Sequence, residues 1–198
     1  SRPTRRGSDF LLLDETGVGD HSGYSVAMRF RLTYDGELRP TGNDPYDAPS
    51  DPLALHKQSI RRVFHSQLKQ LWQTNRFLRD YKGHAREFAT SPSLSQTAGM
   101  WGRDPNELVP LVDLIASQYG EHGYRFVPLA RRDWSLLCSL SILFLRRDIP
   151  GSALNAGDID NRIKTLIDAL RRPLTMKELA GSENPQAGED PFFVLMED

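Results

Sequence analysis

Between Lys57 and Asp80 the apolar residues Ile60, Val63, Phe64, Leu68, Leu71 and Trp72 return at spacings of three and four. That is the period of one face of a helix and not of a strand. The spacing predicts a helix over 57–80 whose stripe must be buried, with Phe64 and Trp72 in the core. Its other face is basic. From His56 to Arg86 there are eight Lys/Arg (57, 61, 62, 69, 76, 79, 82, 86) against the single acid Asp80. The whole chain carries a formal charge of only −1, so this stretch is a local asymmetry. Two readings follow: a solvated helix face, or a surface that contacts phosphates.

Around that helix the chain is 198 residues long, with 38% hydrophobic and 26% charged residues. This composition supports a packed core and excludes global disorder. Residues 1–25 are polar and Gly-rich and are expected to be a tail or arm. Met28–Tyr34 (MRFRLTY) alternates apolar and polar, the pattern of a half-buried strand. Arg39–Pro52 holds four prolines and predicts a loop, as does the polar stretch 91–105. Asn106–Tyr119 predicts a helix ended by Gly120. Tyr124–Leu129 and Trp134–Leu145 read as strands, the second buried, with Cys138 inert inside it. No apolar run reaches the ~20 residues of a membrane span, and no secretory leader is visible. One cysteine excludes an intrachain disulfide and a cysteine zinc cage, which suits a reducing cytoplasm. The expected fold is α/β (α+β): a small mixed sheet with packed helices, residues 26–198 forming one domain.

The segment Arg146–Pro173 (RRDIPGSALNAGDIDNRIKTLIDALRRP) carries the chemistry. A turn-rich linker leads into a predicted helix from about Asp160 to Arg171, with Ile163, Leu166, Ile167 and Leu170 as its stripe and Pro173 as its stop. Asp158 and Asp160 are expected at the loop–helix junction, where both carboxylates can turn to one point. Carboxylate oxygens are what Mg²⁺ takes, alongside waters and phosphate oxygens. Lys164, four residues on, shares the face of Asp160 and is placed to meet a phosphate. The plainer alternatives are that Asp160 only caps the helix, or that Asp160 and Lys164 form a surface pair.

Asp158-Ile159-Asp160-Asn161-Arg162-Ile163-Lys164, followed by Leu166 and Asp168-Ala169-Leu170, resembles the D-x-D-N-x-x-K…D-A-L signature of the RusA family of Holliday junction resolvases. The resemblance covers residues 136–172 and extends to 192–198. It implies an endodeoxyribonuclease that cuts branched DNA. Mg²⁺, with Mn²⁺ as a substitute, would be held by Asp158, Asp160 and a third carboxylate, and Lys164 would assist cleavage. Metal-activated water would attack the phosphodiester in line and leave a 5′-phosphate. The third ligand falls on Asp198, beside Glu197, unless its partner lies past the end of the chain given. Asn161 matches the motif as a helix-start residue, Asp168 as a structural one. Residues 172–191 stand as an insertion loop relative to the family. A C2 homodimer follows from symmetric cutting of two strands, with a prokaryotic or phage origin and a nucleoid-associated, cytoplasmic setting. DNA contacts are expected from Arg61, Arg62, Lys69, Arg76 and Arg79 on the basic helix, and from Arg146 and Arg147 before the motif.

The five histidines (21, 56, 65, 84, 122) show no zinc spacing, and there is no Walker or dinucleotide glycine loop, so no nucleotide cofactor is expected. Rival readings are a non-catalytic DNA- or protein-binding member of the same fold, a nuclease preferring flaps or forks, and a small-molecule phosphohydrolase using the same acids.

Overall fold

A computed structural model describes residues 28–41, 51–84, 106–132, 138–145 and 156–198. Arg146, Arg147, Trp101, Trp134, the 1–25 tail and the 91–105 loop lie outside them. The chain divides into two compact units, 1–33 and 34–198. In the first, residues 28–33 alternate half-buried and exposed, as the MRFRLTY pattern predicts, but no strand forms there.

The second unit is built on α1 (Ala54–Thr74). Asp51 organises its start: its carboxylate accepts from the Leu53 N–H at 2.8 Å and its carbonyl from the Ala54 N–H at 2.9 Å. Ile60, Phe64, Leu68, Leu71 and Trp72 are buried along one side. Val63, expected on the stripe, is exposed. The helix does not run through to Asp80. Asn75 leaves the helical region with ψ at 121° and caps a separate short helix, α2 (Arg76–Asp80), through its side chain to the Leu78 N–H.

After α2 comes β1 (Lys82–His84), paired antiparallel with β2 (Leu108–Pro110). Proline has no N–H to give a helix interior. Pro110 therefore marks the start of α3 (Leu111–Gln118), and Leu108 and Val109 become strand instead of the helical turn expected of them. β3 (Gly120–Glu121) turns back into β4 (Tyr124–Ala130) through His122 and Gly123, both at positive φ (54° and 78°). Two positive-φ residues make the tight turn whose twist suits a hairpin.

α4 (Ala156–Leu170) and a 3₁₀ helix (Met176–Leu179) then lead to β5 (Phe192–Met196). β5 lies parallel to β4, Phe126 opposite Phe192 and Ala130 opposite Met196, giving a mixed sheet of order β3-β4-β5. Parallel neighbours require a crossover between them, and α4 lies within it. Phe192 to Leu195 are all buried, as befits a strand covered on both faces. α1 packs against both β5 and α4. The fold is thus α+β, with helices around small mixed sheets.

One expectation is corrected here. Of the predicted buried strand Trp134–Leu145, residues 138–145 form no strand and are exposed throughout, Cys138 included. Residues 172–191 pack against the rest of the unit. Leu179 is fully buried, Ser182 and Glu189 are buried, and the Tyr124 hydroxyl lies 2.8 Å from the Ser182 carbonyl.

Candidate functional site

The D-x-D-N-x-x-K string lies wholly inside α4, which begins at Ala156 and not near Asp160. Asp158 is the third residue of the helix and Asp160 the fifth, so Asp160 is not its cap. At ~100° per residue, positions 158 and 160 are about 200° apart around the axis. A regular helix therefore places the two positions on different sides of its axis. The Asp158 side chain itself is outside the description. Positions 160 and 164 are only about 40° apart around the axis. Asp160 and Lys164 are both exposed, form no ion pair with each other, and have no partner among the described residues.

The adjoining face of α4 is covered by residues 38–41. The Asn161 carbonyl accepts from the Thr41 N–H at 3.2 Å, the Thr41 and Thr165 hydroxyls meet at 2.8 Å, and Arg162 donates to the Leu38 carbonyl. Asn161 thus takes part through its backbone. Of the expected stripe only Leu170 is buried. Ile163, Leu166 and Ile167 are half-buried, while Thr165 and Ala169 take the innermost positions.

The C-terminal half of α4 is held differently. The Lys57 ammonium, 5% exposed, lies 2.8 Å from both Asp51 and Asp168. Burial pulls its pKa down, but hydrogen bonds to Asp168 and Asp51, with their charges, lift it above the ordinary lysine value. Arg61, 1% exposed, donates to the carbonyls of Asp168 (2.9 Å) and Arg171 (3.1 Å) and to the Gln58 side chain. Those carbonyls are the ones a helix C-terminus leaves without intrahelical partners. Burial brings Arg61 down to about 10, still a cation at neutral pH. Arg171 completes the network through Glu178 at 3.1 Å and Asp168 at 3.5 Å. Asp168 is structural, as its position suggested.

The expected DNA-binding face of α1 is largely used up in this way. Arg61 is a buried helix cap and not a surface cation. Arg62 pairs with Glu189 at 2.6 Å, and Lys69 donates to the Gly188 carbonyl at 2.9 Å. Arg79 forms an exposed two-pronged pair with Asp80, and Arg76 is exposed and acts on Asp80 through its charge without an ion pair among the described residues. A signal for this was present. Lys57, Arg61, His65, Leu68 and Trp72 recur every three or four residues, so the first three share the buried stripe's side.

Asp198 follows two residues after Met196, which bridges to Arg171 at the end of α4. The chain at Arg171 runs parallel to β5 at Met196, and the Arg172 N–H donates to the Met196 carbonyl at 3.2 Å. Asp160 is eleven residues before Arg171, roughly 16 Å along the axis at 1.5 Å per residue. Glu197 is engaged nearby, its carboxylate accepting from the Arg132 N–H at 3.3 Å. Among the described residues no group of three or more His, Cys, Asp or Glu converges as a metal site. Of the three carboxylates that the resemblance implies, the side chains of Asp160 and Asp198 are described and that of Asp158 is not.

His65 is a further buried polar residue that spacing alone left at the stripe's edge. Its Nδ1 accepts from the Phe193 N–H at 2.9 Å, and its ring lies 4.4 Å from that of Phe192. Burial, helped by Lys69 and opposed by Glu189, lowers its pKa to about 4, which keeps Nδ1 an acceptor. Comparison with family models, curated proteins and solved structures finds no match to this chain. No described helix is long and apolar enough to cross a membrane.

Proposed function

We propose that the chain is a Mg²⁺-dependent, structure-selective endodeoxyribonuclease of the RusA type, acting on branched DNA as a homodimer. The observation that carries this reading is the shared helix face of Asp160 and Lys164. They occupy the motif's positions side by side on α4, exposed, while Asp168, Arg162 and Arg171 of the same segment are all engaged. An exposed Lys164 can offset the negative charge of a phosphate, and Asp160 presents oxygens of the kind a hard cation takes. Two such sites related by a two-fold axis suit symmetric cutting of a junction.

A second reading is favoured by the separation of positions 158 and 160, about 200° around the helix axis. It is a non-catalytic DNA- or protein-binding member of the same fold. One experiment separates the two. A synthetic four-way junction is incubated with the protein and Mg²⁺ or Mn²⁺, beside Asp160→Asn and Lys164→Ala. Cleavage by the parent that both variants lose supports the nuclease. Junction binding without cleavage under either metal rejects it in favour of the module.

A further inference from the structure

The seven residues Arg76–Lys82 (RFLRDYK) leave six side chains exposed and bury only Leu78. Phe77 and Tyr81, one helical turn apart, are 45% and 41% exposed. Their rings face each other at 5.5 Å between centroids. Large aromatic side chains are usually buried, so two adjoining rings on the surface are an unusual expenditure of apolar area. Arg76 and Lys82 flank them, exposed and in no ion pair among the described residues, Arg76 acting on Asp80 through its charge alone, and Arg79 adds a charge shared with Asp80. The other basic residues of the 57–79 tract are engaged by protein groups, Lys57 and Arg61 in the interior and Arg62 and Lys69 at half-buried positions. What reaches solvent is a cationic surface with an aromatic pair at its middle.

Cations spaced beside exposed rings suit a chain of phosphates whose bases are free to stack. Duplex DNA hides its base faces, whereas single strands and unpaired junction nucleotides offer them. We propose that Arg76–Lys82 is a binding platform for unpaired nucleic acid, with Phe77 stacking on a base and Arg76 and Lys82 meeting the flanking phosphates. The partner is committed by charge complementarity: an acidic backbone and a planar apolar base. The platform needs no chemistry at Asp160 and stands whether or not the chain cuts DNA.

The test is fluorescence anisotropy in EDTA with labelled oligothymidine of about twenty nucleotides, within the range such surfaces cover, beside a duplex of the same length. The parent is expected to bind the single strand more tightly than the duplex. Phe77→Ala should weaken single-strand binding roughly tenfold, Phe77→Leu should weaken it similarly, and Phe77→Trp should retain it. The Leu and Trp variants separate stacking from simple apolar contact. Arg76→Ala with Lys82→Ala should flatten the log–log salt slope by about 1.4, near 0.7 per cation for single strands. Circular dichroism confirms that each variant is folded. No nucleic-acid binding, equal binding of both forms, or a Leu variant that binds as the parent does overturns the platform. Binding in EDTA and cutting in Mg²⁺ are read separately, so loss of one proposal leaves the other visible.

Discussion

The two halves of α4 carry similar charged residues and use them in opposite ways. In the C-terminal half, Asp168 meets Lys57 at 2.8 Å, and the last carbonyls accept from the buried Arg61. In the N-terminal half, Asp160 and Lys164 stand exposed and without a partner among the described residues. A charge taken from water must find a partner or be destabilising, so the first half is a structural lock. A charge left in water costs almost nothing and is available for a ligand. Burial, and not charge, separates the structural residues of this segment from the candidates for function.

Removing the lock should produce the largest effect. Lys57→Ala strands Asp51 and Asp168 at a partly buried site and should cost about 3 kcal/mol, within the range for breaking a buried pair. Urea denaturation reads this as a fall in midpoint. A midpoint unchanged from the parent would mean that the two halves do not differ as described.

The second effect is a pH dependence. The folded-state pKa of His65 is lowered to about 4, below the unfolded value near 6.5. The unfolded chain therefore takes up this proton first as pH falls. The stability from neutral His65 is complete above about pH 6.5 and is lost progressively toward pH 4. The loss is about 2 kcal/mol, at 1.36 kcal/mol per unit and discounted for partial solvent screening. The matching His65→Gln variant should flatten that part of the stability–pH curve. A curve of the same slope in parent and variant would assign the dependence to other groups.

Arg62→Ala, which removes the partly buried pair with Glu189, should cost about 1 kcal/mol in the same assay, more than a typical surface pair. The smallest stability effect belongs to the exposed half. Asp160→Asn and Lys164→Ala should each stay within about 0.5 kcal/mol of the parent, as surface changes do, while abolishing any junction cleavage. A large loss of stability from either would place these residues in the lock and erase the contrast.

Much of the framework was legible from residue order. The stripe of α1, the Tyr124 strand, the helix carrying the motif and the structural part of Asp168 all follow from local periodicity and spacing. Boundaries and surroundings were less legible. Pro110 and Asn75 broke elements that apolar periodicity had joined. The exposure of Cys138 and of Leu143, 83% accessible, runs against an apolar run that reads as a core strand. The basic face of α1 misled for a physical reason. Lysine and arginine are long enough to sit on a buried stripe and still reach a carboxylate or a helix end, so their type alone does not tell which side of a helix meets water.

Local order thus determined which stretches are helix or strand and which residues carry oxygens and cations at motif spacing. Tertiary structure decided which of those charges are consumed. Asp168 lies 111 residues from its partner Lys57 in the chain, a separation that no periodicity encodes. The same holds for Asp160 and Asp198. Their distance is set by how α4 and β5 run past one another, and that direction is a property of packing and not of spacing.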